Sequence, residues 1–265
     1  RRRCMICVWL FAATFDEDHM TAGTIHHTRA LLRCAVIALG LAFAGGAVHA
    51  VEASYVPASR TAGLQLLAAP AASGSEQAVR ERAALKQIEL ARSKEQVARA
   101  QADEVNVTMF LFADVIGAGF NAGALPRTAL LSEHVGRDVA ANTEPLKKTY
   151  ARMRPYNADK SLAPACRTKT KDDSYPSSHS TAGYLEALTL VELLPEKRDA
   201  ILARADDYAH NRLVCGVHYP SDIEAGKLLA YAVHALMREQ PDYQRDVAAA
   251  RAELRAALGL ASSAP

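Results

Sequence analysis

The stretch Ser180–Leu194, STAGYLEALTLVELL, decides the fold. Apolar residues recur along it at helical rather than alternating spacing, and Ser177 and Ser178 stand just before it as capping residues. Working outward, Pro195 opens a further helix toward Val214, with Gly216 as its stop. Ser221-x-x-Glu224 reads as a capping box at the head of an apolar helix reaching about Arg238, and Pro241 opens a last, charged helix to Leu258. Upstream, helical patterns cover 128–141 and 144–153, the second opened by Thr143 and Pro145. Residues 105–126 are strongly apolar, but Asp114 interrupts them, so a buried core helix is expected rather than a membrane span. Ser73-x-x-Glu76 opens a long polar helix to about Glu104, and 156–175 reads as a surface loop. No segment alternates with period two, which predicts a single compact all-α domain.

The amino end reads differently. Residues 1–19 (RRRCMICVWLFAATFDEDH) suggest upstream translated sequence. From Met20 the pattern is that of a secretory signal: Arg29 and Arg33, the apolar run Cys34–Ala44, then AGGAVHA with cleavage expected after Ala50. The expected organisation is therefore 1–50 upstream segment plus signal peptide, 51–75 an N-terminal arm, and 76–260 the folded domain. That pattern implies a secreted or periplasmic protein without stable membrane insertion. Residues 1–50 hold five of the 31 basic and three of the 29 acidic residues, so the remainder is balanced, 26 against 26. This excludes a global basic face for a nucleic acid polymer. Cys166 and Cys215 remain after cleavage, and either a disulfide or two buried thiols fits an oxidising compartment.

Three short segments carry chemistry. In Lys147-KTYARM-Arg154-Pro155, the two cations are seven positions apart, which on one helix puts them about 20° apart and suits a polyanion. Tyr175-Pro-Ser177-Ser178-His179 precedes a helix, whose free N–H groups form a ready anion site, and His179 can exchange a proton near neutral pH. In Asn211-Arg212-LVCGV-His218-YPS-Asp222, Arg212 is a third anion clamp, and Asp222 can hydrogen-bond one nitrogen of His218 and free the other as a nucleophile. Taken singly, solvated charges, an N-cap serine pair and a loop histidine account for these residues equally well.

Their order and spacing together resemble the pattern K-x6-R-P, P-S-G-H, S-R-x5-H-x3-D of the type 2 phosphatidic acid phosphatase (PAP2) superfamily. Within it the chain is similar to the class A bacterial non-specific acid phosphatases over roughly residues 64–250, including Ala91–Lys94, ARMRPY, Pro164–Cys166, SYPSSH and VCGVHYPSD. Ser178 stands where that pattern has Gly, and Asn211 where it has Ser. The resemblance implies a metal-independent acid phosphatase acting on small phosphomonoesters, inhibited by phosphate or vanadate, assembling as a homo-oligomer and able to transfer phosphate to alcohols. It implies that Lys147, Arg154, Ser177, Ser178 and Arg212 bind phosphate, that His218 forms a phosphohistidine, that Asp222 orients it, and that His179 is the proton donor. No cofactor is expected. Two other functions share the pocket: a vanadium-dependent haloperoxidase and a catalytically silent periplasmic anion-binding protein.

Overall fold

The computed structural model describes residues 52, 54–62, 64–166 and 170–261. The expected signal peptide and its cleavage point lie outside the described residues. Ten α-helices occur among those that are described: α1 Ala58–Ala62, α2 Glu76–Ala91, α3 Lys94–Val105, α4 Ala113–Ile116, α5 Pro126–Tyr150, α6 Pro155–Ala158, α7 Ser178–Leu193, α8 Arg198–Val214, α9 Pro220–Met237 and α10 Pro241–Ala257. No strand is present among the described residues, and the all-α expectation holds. No helix among them is long and apolar enough to cross a membrane.

α7 is the central element, packed against α5, α8, α9 and α10. It is buried on nearly every face, with Leu185, Ala187, Leu190 and Leu193 fully inaccessible. A helix apolar all round has to sit in a core. Each such leucine contributes about 1.5–3 kcal/mol by leaving water.

Several boundaries differ from the sequence expectation, each for a local reason. The polar stretch 76–104 is two helices, because Arg92 and Ser93 are extended. Ser75, not Ser73, caps the first, and Ser93 with Gln96 makes a capping box for the second. Residues 105–126 are neither one helix nor buried throughout: Met109, Leu111, Phe112, Ile116, Phe120 and Leu125 enter the core, while Val105 and Val107 are exposed. A short 3-10 turn at Met109–Phe112 leads into α4, and Gly117 ends it at φ 126°. The two helices expected at 128–153 are one, with Pro145 inside it. Proline there costs about 3 kcal/mol, and the buried face of Leu131, Val135 and Val139 offsets it. α9 is capped by Asp222, whose Oδ2 accepts from Tyr219 N at 2.8 Å, rather than by the Ser221–Glu224 pair. The arm is docked rather than loose: Tyr55 N and Val56 N both donate to the buried Asp138 carboxylate at 3.1 Å.

The crossing of α7 and α9 is unusually close. A Cβ at Gly226 would lie 2.6 Å from the carbonyl oxygen of Ser177. Gly226→Ala is therefore expected to destabilise the fold by about 1–3 kcal/mol, since backbone cannot swing aside. Gly136→Ala on α5, with nothing within 4 Å of the added carbon, is expected to stabilise by about 0.5–1 kcal/mol. Paired thermal melts check both; equal shifts would remove the argument for a tight crossing.

Candidate active site

α5 ends at Tyr150, and Ala151 turns the chain through a left-handed conformation at φ 42°. Arg154 therefore lies beyond the helix, at the cap of α6, and the shared helix face expected for Lys147 and Arg154 is not what unites them. The turn brings both to one residue instead. Lys147 Nζ donates to the carbonyl oxygen of Asp173, and Arg154 Nε donates to its Oδ1 at 2.8 Å. Burial pushes the Lys147 ammonium down to about 8.

His218 precedes α9 and is almost wholly buried. Its Nδ1–H donates to the carbonyl oxygen of Ser174 at 2.8 Å, and Asp222 Oδ2 lies farther off, at 3.4 Å. Asp222 thus acts largely through Ser174, whose hydroxyl donates to its Oδ2 at 2.6 Å. This fixes the tautomer and leaves the lone pair of Nε2 facing Arg154 Nη1, 3.1 Å away. Burial first, then the charges of Arg154, Lys147, Arg212 and His179, holds the His218 imidazole well below the ordinary histidine range. Its Nε2 accordingly carries no proton.

Arg212 is the least satisfied side chain among the described residues. It is fully buried, yet its Nε and Nη2 make no hydrogen bond; Glu104 Oε1 is 3.7 Å from Nη2. Burial lowers its pKa, with Glu104 opposing. A buried cation whose ion-pair partner stands beyond hydrogen-bond distance is costly, and this one sits beside two cations and the N-terminus of α7. Ser177 caps that terminus: its Oγ accepts from Ser180 N at 3.2 Å and Ser180 Oγ at 3.1 Å, which leaves its own proton to donate. Ser178 turns its hydroxyl away, donating to Thr143 Oγ1 on α5 at 3.0 Å. His179 Nε2–H donates to Glu104 O at 3.1 Å, so Nδ1 is its working nitrogen. Burial, then Arg212, Arg154 and Lys147, pushes His179 down to about 3 in this anion-free pocket. The cluster is built for a compact anion with several oxygens.

The profile of the PAP2 superfamily matches residues 128–246. That stretch, a little under half of the chain, is similar to a PAP2 superfamily domain. A non-specific acid phosphatase of Providencia stuartii is 35% identical over 116 residues, 42% of this chain and 46% of the relative. An acid phosphatase of Zymomonas mobilis subsp. mobilis is 34% identical over 152 residues, 55% and 56% respectively. The matches thus span about half the length of these curated relatives. A solved transmembrane PAP2-type phosphatidylglycerolphosphate phosphatase from Bacillus subtilis aligns at 21% identity and a TM-score of 0.46, over 63% of this chain and 87% of that one.

Inside the matched stretch, Lys147, Arg154, Arg212, His179, His218 and Asp222 converge, as the charges bearing on His218 and the bonds of Asp222 require. Sequence reasoning missed the residues that support them. Arg152 Nη1 donates to Asp222 Oδ1, and its Nη2 donates to the buried Glu81 Oε2 on α2 at 2.7 Å. Arg152 had no sequence signal beyond its place between two cations. Asn211 is explained by Asp103 of α3, whose Oδ2 accepts its amide at 2.7 Å. Cys166 and Cys215 form a disulfide that ties the 156–175 connection to the end of α8.

Removing the Arg212 charge should separate stability from binding. Arg212→Met is expected to leave the anion-free fold as stable, or more stable by about 1–2 kcal/mol, while abolishing the rise in Tm that inorganic phosphate gives the parent protein. A large loss of anion-free stability in Arg212→Met would mean the guanidinium is structural.

Proposed function

We propose that this protein is a secreted, periplasmic-type acid phosphatase that hydrolyses small phosphate monoesters through a phosphohistidine on His218. The observation that carries this reading is the buried Arg212 guanidinium with two nitrogens left without a hydrogen bond, set beside a histidine whose unprotonated Nε2 faces Arg154 Nη1. The names of the relatives support the same substrate class.

In this reading the phosphoryl oxygens take the open edges of Arg212, the ends of Lys147 and Arg154, the Ser177 hydroxyl and the backbone N–H groups at the start of α7. These donors are fixed before substrate arrives, so they stabilise the charge that develops in transfer without reorganising. His218 Nε2 attacks phosphorus in line as the bond to the ester oxygen breaks. His179 delivers its Nδ1 proton to that leaving oxygen, then takes a proton from the water that cleaves the phosphohistidine. An alcohol in place of water gives phosphotransfer. The cations and α7 supply the electrostatic clamp, and the chemistry needs no metal. Vanadate and phosphate act as inhibitors, and the protein works as a homo-oligomer.

The pH dependence follows from the two histidines. His179 must carry a proton to donate; a bound phosphate dianion offsets the three cations that depress it and raises its pKa. Turnover therefore falls as pH rises through the His179 pKa of the complex, placing the optimum on the acid side. It falls again at low pH only where His218 Nε2 becomes protonated.

The test is p-nitrophenyl phosphate hydrolysis from pH 4 to 9 with EDTA. Expected are EDTA-resistant turnover with an acidic optimum, loss of activity in His218→Ala, and a fall of about 10²–10⁴ in kcat for His179→Ala. Ser178→Ala should stay within a few-fold of the parent, because that hydroxyl points at Thr143. A rate still climbing above pH 8 contradicts the role of His179. Phosphate binding without turnover identifies a silent anion-binding protein, and halide oxidation on adding vanadate identifies a haloperoxidase.

A further inference from the structure

The three cations that bear on His218 are not in the same state. Arg212 keeps two N–H groups unbonded. Lys147 and Arg154 are both engaged, and by a single residue. The Asp173 carbonyl oxygen accepts from Lys147 Nζ, and its carboxylate Oδ1 accepts from Arg154 Nε at 2.8 Å. Thr170 Oγ1 donates to the same Oδ1 at 2.6 Å and holds the carboxylate in place. The Asp173 side chain is 28% exposed, against 6% for Arg154, so it sits where the cation cluster meets solvent. Burial would raise the Asp173 carboxyl, but the bonds from Arg154 and Thr170 and the charge of Lys147 outweigh it and hold it at about 2. It is ionised wherever the protein is folded and active.

A carboxylate and a phosphoryl group offer these donors the same chemistry: negative oxygens at hydrogen-bond distance. Arg154 Nε cannot serve both at full strength, and two anions held by the same cations repel each other. We propose that Asp173 is a built-in counter-anion of the phosphate pocket, competing with bound phosphate for Arg154 and Lys147 and so limiting how tightly inorganic phosphate is retained. This rests on the phosphatase reading and adds a residue that sets its affinity for substrate and product. The chemical class it discriminates against is the small tetrahedral oxyanion.

The alternative role for Asp173 is a brace that aims Arg154 at His218, and the two roles predict opposite signs. Phosphate affinity is measured by calorimetry on the purified full-length protein, with KM and kcat for p-nitrophenyl phosphate, in the parent and in Asp173→Asn, Asp173→Ser and Asp173→Glu. Loss of one close charge is expected to tighten phosphate about tenfold in Asp173→Asn and Asp173→Ser. KM should fall with it, kcat should not rise, and Asp173→Glu should stay near the parent. Thermal melts confirm that the variants are folded, and the serine variant covers a failure of the asparagine one. Unchanged or weaker phosphate binding, with a lowered kcat, overturns the counter-anion and leaves the phosphatase reading standing. Absence of phosphate binding in the parent and in both neutral variants overturns the two together.

Discussion

The carboxylate of Asp222 has no accessible surface and accepts from three donors that come from different parts of the chain: Arg152 after α5, Ser174 before α7 and the backbone of Tyr219 at the head of α9. Its own carbonyl oxygen accepts from Ser177 N at 3.0 Å, which joins the heads of α7 and α9. Arg152 reaches on to Glu81 of α2, and Glu81 Oε1 returns to Ser221 N at 2.9 Å. Removing one member of such a buried pair leaves a charge without a partner and costs about 3–5 kcal/mol. The network therefore fixes four segments at once. The His218 tautomer, the seat of the α7 N-terminus and the position of the turn that carries Arg154 all follow from it.

Behind this negative anchor lies an excess of positive charge. Lys147, Arg154 and Arg212 are each at least nine-tenths buried, and no carboxylate meets Arg212 within hydrogen-bond distance. The imbalance is unfavourable in the anion-free protein. After burial, it is what depresses both His179 and His218, and the surrounding core has to outweigh it. α7 does much of that, with its leucines buried against α5, α8, α9 and α10. Strain of this kind is kept where a ligand relieves it.

The two departures from the PAP2 pattern both find local partners. Ser178 occupies a helical position, where no special backbone conformation is required, and its hydroxyl is absorbed by Thr143 on the neighbouring helix. Asn211 carries its longer amide across to Asp103, which also receives the Arg204 guanidinium. Each residue replaces a smaller one by reaching a group that a smaller one would leave short, and neither places a side chain among the anion-binding donors.

By itself the sequence determined the helical class, because the apolar spacing of 180–194 and 221–238 admits no alternating strand. It also singled out the candidate site residues, because Lys147, Arg154, Ser177, His179, Arg212, His218 and Asp222 lie in short segments whose order and spacing together resemble the PAP2 pattern. Local boundaries were legible where a cap or a glycine marks them, as at Ser177 and Gly216. They were not legible where packing overrides propensity, as at Pro145 inside α5. Tertiary structure alone decided the partners. That Asp222 answers to Arg152 and Ser174, that Asp173 reaches both Lys147 and Arg154, and that two nitrogens of Arg212 are left without a hydrogen bond are facts about groups up to 70 residues apart. Hydrogen bonding and burial act through space, and spacing along a chain encodes them only within a helical turn or two.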